Sequence, residues 1–170
     1  MAANKYLKNV SGVPTEVVAT QVSAGVANAN QIVALNAQGL LDTSVMPVGI
    51  GADTASVTAS EAIAAGAFVN VWSNAGAFAI RNADNTVAGK EAHGFVLSAV
   101  ASAAVGNVYF AGNNNAVTGQ TPGNVYLGTV GGSVVVGSLP TAAGSVQQII
   151  GEATSATSIN FTRGIAVVLA

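Results

Sequence analysis

The sequence predicts a mainly β protein, with a small antiparallel β-barrel or β-sandwich body over about residues 52–170 and an extended, mostly irregular N-terminal arm before it. Two observations predict this fold class. After residue 51, short runs rich in Val, Ile and aromatic residues recur between turns rich in Gly and Asn. About nine such runs at close spacing are typical of sandwiches and small barrels. Before residue 49, the apolar residues follow neither the helical nor the strand period for long.

Each predicted strand of the body is a short apolar run with turn residues at its ends. Asn74-Ala75-Gly76 separates the first two runs, and Gly131-Gly132 between two β-rich runs is a strong signal for a two-residue hairpin. The window 56–67 has a capping-box pattern in Thr58 and Glu61, but we predict an extended segment there. The predicted strands are 68–72, 78–81, 94–100, 107–111 (closed by a turn at 112–115), 125–130, 133–136, 147–153, 158–162 and 165–169. The predicted core is Val69, Val71, Val96, Val108, Phe110, Val125, Leu127, Ile149 and Phe161.

The glycines of Gly49-Ile50-Gly51 indicate a hinge between two parts of the chain. They divide it into an arm, residues 1–50, and a β-rich domain, residues 51–170. The arm is too short to bury its own apolar side chains. We therefore expect it to pack on the body, on a sister subunit or on a partner.

Local signals within the arm predict three short elements. Residues 31–35 are predicted as a strand, and 36–39 as a turn in which Gly39 takes a positive φ. The stretch Asp42-Thr43-Ser44 is predicted to cap a single helical turn, which Pro47 would end.

Charge is the most unusual property of the composition. Charged residues make up 7% of the chain, against about 25% in an ordinary soluble protein. Five basic and seven acidic residues form neither a basic stripe for nucleic acid nor a polybasic patch for a membrane surface. No apolar run approaches the roughly 18 to 20 residues of a membrane-spanning helix. A neutral surface repels its neighbours weakly, which favours a subunit of a large assembly over an isolated monomer.

Residues with catalytic or metal-binding chemistry are sparse. Glu91 and His93 would share one face of a strand, where they could act as an acid/base pair. Polar residues at the start of a strand are the simpler interpretation. Asp84 lies in an oxygen-rich loop whose spacing matches no EF-hand, which favours a plain turn over a calcium site. With one His and no Cys, we expect no enzyme activity, no metal and no cofactor.

A series of motifs runs through about residues 60–170. They are 92–97 (AHGFVL), 108–110 before Gly112, 118–123 (TGQTPG), 125–127, Gly131-Gly132, 140–144 (PTAAG), 146–151, 153–157 and Phe161. In order and spacing they resemble a β-domain that recurs in capsid decoration (cement) and head-fibre proteins of tailed bacteriophages.

The arm carries a second resemblance. Residues 32–42, followed by Met46-Pro47, resemble a short segment of phage fibre and head-fibre proteins. Asn36 is often Asp there and Leu40 is often basic, so this copy is more apolar. Together the resemblances imply a non-enzymatic structural subunit, typically trimeric, on the outer surface of a virion.

We therefore predict a homotrimer that decorates the outside of a capsid and binds the major capsid protein, without a nucleic acid or membrane partner. The alternative is an adhesin module for a carbohydrate or another receptor, such as a host surface glycan. Trp72, Tyr109 and Tyr126 could form its sugar platform, although half-buried sheet residues are the simpler interpretation. The predicted capsid-binding residues are Lys5, Tyr6, Leu7, Lys8 and Val10. The predicted trimer-interface residues are Ile32, Val33, Leu35, Leu40, Leu41 and Met46.

Overall fold

The computed structural model describes residues 4–37, 39–46, 52–137 and 139–170. The chain divides into two compact units, Met1–Gly51 and Ala52–Ala170, called the N-terminal unit and the body below. The predicted fold class is confirmed, because the body consists of a closed β-barrel and a further β-sheet.

The N-terminal unit begins with a β-hairpin that the sequence analysis did not predict. Strands β1 (Lys5–Val10) and β2 (Val13–Val18) pair antiparallel across a two-residue loop. Ser11 and Gly12 both have positive φ, 52° and 88°, as a type I′ turn requires. Pro14 does not interrupt the ladder, because it lies opposite Asn9 in a pair that makes no hydrogen bonds across the strands.

The rest of the N-terminal unit contains little regular structure. Two short 3₁₀ helices cover Gly25–Asn28 and Thr43–Val45. The predicted strand at 31–35 is reduced to a single parallel bridge between Thr20 and Val33. The positive φ of Gly39 is confirmed at 75°. The cap predicted at 42–44 is confirmed at Asp42, whose Oδ1 accepts a hydrogen bond from the Ser44 N–H at 2.9 Å. Pro47 lies outside the described residues.

Five strands of the body close into a small barrel in the order β3-β5-β4-β6-β7. The pair β3–β5 is parallel and the other pairs are antiparallel. The expectation of an extended segment at 56–67 is confirmed over its first part, which belongs to β3. The barrel strands are β3 (Thr54–Ala59), β4 (Phe68–Asn74), β5 (Ala77–Asn82), β6 (Gly94–Phe95) and β7 (Val105–Tyr109).

A second sheet has β11 at its centre. Its strands run in the order β10-β9-β11-β12-β8, and β13 pairs with the first residues of β11. The strands are β8 (Gly112–Asn114), β9 (Gly123–Leu127), β10 (Val134–Val135), β11 (Val146–Ser155), β12 (Ser158–Phe161) and β13 (Ala166–Val168).

Two apolar clusters form the core of the body. One fills the barrel with small and β-branched side chains such as Val69, Ile80 and Val108. The other lies between the barrel and the second sheet, where Phe68 and Phe95 meet Phe161 with ring centroids 5.7 and 5.6 Å apart. Aromatic pairs at this spacing add about 0.5 to 1.5 kcal/mol beyond the area that they bury. The aromatic cluster therefore joins the two layers.

Most of the predicted core is confirmed and one residue is wrong. Val71 and Phe110 are half-buried and pack against the barrel cluster. Ile149 is 43% exposed, and Ile150 is buried in its place. The cause is a bulge of β11 between Ile149 and Gly151, which shifts the alternation of side chains by one residue. The confirmed core residues are Val69, Val96, Val108, Val125, Leu127 and Phe161.

Three strand predictions also need correction. The run 94–100 is a strand only at Gly94–Phe95, and its last residue, Val100, forms an isolated antiparallel bridge with Ile63. The turn predicted at 112–115 is largely strand β8. The Gly131-Gly132 hairpin has a longer loop than expected, because cross-strand pairing begins only at Leu127 and Val134.

Candidate functional site

All five residues predicted to bind a capsid lie on β1, where strand alternation divides them between two faces. Lys5 and Leu7 lie on one face, while Tyr6, Lys8 and Val10 lie on the other. Side chains alone therefore do not present the five as one flat patch.

The two faces of β1 differ in what they contact. On one face, the Tyr6 hydroxyl accepts a hydrogen bond from the Ile32 N–H at 3.3 Å. On the opposite face, Lys5 forms a salt bridge with Glu16, and the Leu7 side chain is 75% exposed. Leu7 is thus the apolar side chain of β1 that is most available to a partner.

The residues predicted at a trimer interface remain accessible in the single chain. Ile32, Val33, Leu35, Leu40 and Leu41 are exposed, and Met46 is half-buried. About half of the exposed large apolar side chains that the structure describes lie in the N-terminal unit, which has less than a third of the residues. In its described part, only Thr20 is buried.

Hydrogen bonds, rather than an apolar core, hold the described part of the N-terminal unit together. The Thr20 N–H donates to the Ile32 carbonyl, and the Ala34 N–H donates to the Thr20 carbonyl, both at 2.9 Å. The Ser23 N–H donates to Ser44 Oγ at 2.8 Å. The unit is therefore folded, yet it does not bury most of its own apolar side chains.

His93 and Glu91 do not form an acid/base pair, because each is bonded to backbone. His93 Nδ1 accepts the Val71 N–H at 3.0 Å, and Glu91 Oε1 accepts the Gly89 N–H at 2.9 Å. Burial lowers the pKa of His93 below its ordinary 6.5. The Arg163 charge lowers this pKa further, while the Glu91 charge raises it and offsets part of the shift. The Val71 bond also needs an unprotonated Nδ1. The imidazole thus supports the backbone of β4 in its neutral form.

The Asp84 carboxylate is occupied by its own loop, as the turn interpretation predicts. Its Oδ1 accepts hydrogen bonds from the N–H and the hydroxyl of Thr86. Its Oδ2 accepts a hydrogen bond from Lys90 Nζ at 2.9 Å. Burial opposes ionisation, but these hydrogen bonds and the lysine charge outweigh it and lower the pKa of Asp84. Within the described ranges, no three His, Cys, Asp or Glu side chains come together as a metal site would require.

Trp72, Tyr109 and Tyr126 are sheet residues rather than a single platform. The Arg81 guanidinium lies over the Trp72 ring at 4.4 Å, and Trp72 Nε1 donates to Ser60 Oγ at 3.2 Å. Tyr109 stacks on Phe95 with centroids 5.4 Å apart. Among the described residues, no ring contact joins the three to one another.

A groove that the sequence analysis missed lies on the solvent face of β9, β11 and β12. Its volume is about 620 Å³. Glu152 on β11 is in register with Asn124 on β9 and Asn160 on β12, so these three exposed polar residues form a row across three strands. The groove is lined by Asn124, Ile149, Gly151, Glu152, Asn160, Thr162, Gly164 and Ile165.

The β11 bulge builds this groove. The extra residue turns both Ile149 and Glu152 to the solvent face, whereas strict alternation would place them on opposite faces. The Gly164 N–H donates a hydrogen bond to the Ile149 carbonyl at 3.0 Å. This contact brings Ile165, which is 90% exposed, beside the groove. The available signal in the sequence was Gly151, because an isolated glycine inside a strand pattern indicates a bulge.

No protein-family model matches this chain, and no curated protein or solved structure was found to be similar to it. Within the described residues, no helix has the length and apolar character to span a membrane.

Proposed function

We propose that this protein is a structural subunit that decorates and stabilises the outside of a phage capsid as a homotrimer bound to the major capsid protein. The exposed apolar surface of the N-terminal unit is the observation that carries the proposal. The motif series of the body supports the phage assignment, and the low charge supports a place in a dense assembly.

Self-association would cover the exposed side chains at 32–35 and 40–41. Each large apolar side chain that becomes fully buried contributes about 1.5 to 3 kcal/mol, before the entropy of association is subtracted. Five such residues, with the half-buried Met46, could therefore hold a trimer together without ion pairs.

Capsid attachment is assigned to β1. Leu7 is its most exposed apolar side chain, and three copies of β1 in a trimer would bind together, so modest single-site affinity becomes strong avidity. Because so few charges are available, we expect the attachment to weaken only slightly in high salt.

Rebinding to stripped capsids tests the proposal. Purified particles should carry many copies of the wild-type chain by gel densitometry, and stripped shells should take up the added trimer. Leu7→Asn should reduce this uptake by about ten-fold or more, since the loss of one buried leucine is repeated in all three subunits. The matched control is Val130→Asn, which changes a 70% exposed apolar residue of the body.

Two results would contradict the proposal. Leu7→Asn trimers that rebind like wild type would remove β1 from the attachment and leave the body to contact the shell. A stable monomer by light scattering at micromolar concentration would remove the homotrimer.

A carbohydrate- or receptor-binding adhesin module is the second candidate function. The groove of the body favours it, and an adhesin would be present in few copies per particle. The copy number therefore separates the two candidates.

A further inference from the structure

We propose that the groove on β9, β11 and β12 is a binding site for neutral, hydroxyl-rich carbohydrate. The proposal does not depend on the capsid role; it deepens the second candidate function by assigning a ligand class to a site in the body. It rests on the polar row, the neighbouring apolar row and the bulge that places them side by side.

The polar row offers the hydrogen-bonding groups that sugar hydroxyls need. Asn124 and Asn160 each provide an amide donor and an acceptor, and Glu152 between them provides a carboxylate that only accepts. None of the three side chains bonds to another described residue, so their capacity is free for a ligand. A pair of adjacent hydroxyls can donate to the carboxylate while accepting from the amides.

The apolar row lies next to the polar one. Ile149 is in register with Tyr126, which lies two residues beyond Asn124 on β9 and therefore faces the same side of the sheet. Two residues along a strand span about 7 Å, so one small molecule can reach both rows. A sugar ring has this character, because it carries hydroxyl groups at its rim and an apolar C–H face.

Other ligand classes fit the groove less well. An added peptide strand needs a free sheet edge, whereas β11 is paired with β9 on one side and with β12 on the other. An anionic ligand would be repelled by Glu152, which forms none of the salt bridges of the described residues. A cation would find a single carboxylate among the lining residues.

Close contacts between backbone segments also fix the shape of the groove. A Cβ atom on Gly151 would lie 2.1 Å from the Asn160 carbonyl oxygen, and one on Gly164 would lie 2.3 Å from the Ile149 carbonyl oxygen. Both positions therefore need glycine for the strands and the following segment to approach so closely. The two rows are thus held on paired strands rather than on a free loop, which limits the ordering that binding requires.

An oligosaccharide array tests the site with the full-length protein. The array carries neutral and acidic oligosaccharides, and the variants are Glu152→Gln and, as matched control, Glu16→Gln in the N-terminal unit. We expect wild type and the control to bind neutral sugars, and Glu152→Gln to lose affinity by about ten-fold or more, because a charged hydrogen-bond acceptor is removed. Ile149→Ser should weaken binding as well, which would show that the apolar row takes part.

The outcomes are distinct. Wild type that binds no neutral oligosaccharide, that prefers the acidic ones, or that binds as well after Glu152→Gln would overturn the proposal. Circular dichroism verifies that each variant is folded. Uptake of Glu152→Gln by stripped capsids should remain at the wild-type level, so failure of the carbohydrate site and failure of the capsid role are separable.

Discussion

The bulge at Gly151 makes a sharp prediction about stability. Gly151 has a φ of +144°, and a Cβ atom there would lie 2.1 Å from the Asn160 carbonyl oxygen, far inside van der Waals contact. Gly151→Ala therefore adds backbone strain of about 1 to 3 kcal/mol and a steric cost of similar size, since the neighbour is backbone of β12 and not a flexible side chain. We expect the free energy of unfolding to fall by about 2 to 6 kcal/mol.

Gly76→Ala is the matched control for this substitution. Gly76 has a φ of +89° in the turn between β4 and β5, and a Cβ atom there would meet nothing within 4 Å. Alanine therefore adds only the backbone term, about 1 to 2 kcal/mol. Urea denaturation, followed by the fluorescence of Trp72, gives both values. Equal losses in the two variants would refute the steric argument and, with it, the enforced shape of the groove.

Two further predictions concern the core and pH. Phe161→Ala should lower the free energy of unfolding by about 3 to 5 kcal/mol, whereas Phe110→Ala should lower it less because Phe110 is only half-buried. Equal decreases in urea denaturation would contradict this packing. Because the pKa of His93 is lowered in the folded protein, the unfolded chain binds a proton at this residue at a higher pH than the folded chain does. The free energy of unfolding therefore decreases as the pH falls below about 6.5. His93→Gln should reduce the slope of stability against pH below about 6.5, and an unchanged slope would show that other groups cause it.

Local patterns in the sequence predicted much of the strand content. Runs such as Phe68–Asn74 and Val146–Ser155 are rich in β-branched or aromatic residues and end at turn residues, so their conformation follows from nearby chemistry. The hairpin of β1 and β2 was missed because its strands mix apolar and charged residues. Its one clear signal, Ser11-Gly12, is a common turn dipeptide that many loops also contain.

The candidate sites were less predictable than the strands. The residues predicted for capsid binding lie within one six-residue stretch, but the strand conformation of β1 places them on opposite faces. The groove combines Asn124, Glu152 and Asn160, which come from three strands and become neighbours only through the sheet register. No local pattern marks such residues, because each is an ordinary polar residue of its own strand.

By itself, the sequence determined the mainly β class, the turns that need glycine and an N-terminal segment without a core of its own. These properties follow from local conformational preferences and from composition, which act within a few residues. Only the tertiary structure decided that Ile150 rather than Ile149 is buried, and that Glu152 faces the groove. The physical reason is the bulge: one residue without a partner in the ladder reverses which side chains face the core, and this depends on how β9 and β12 pair with β11.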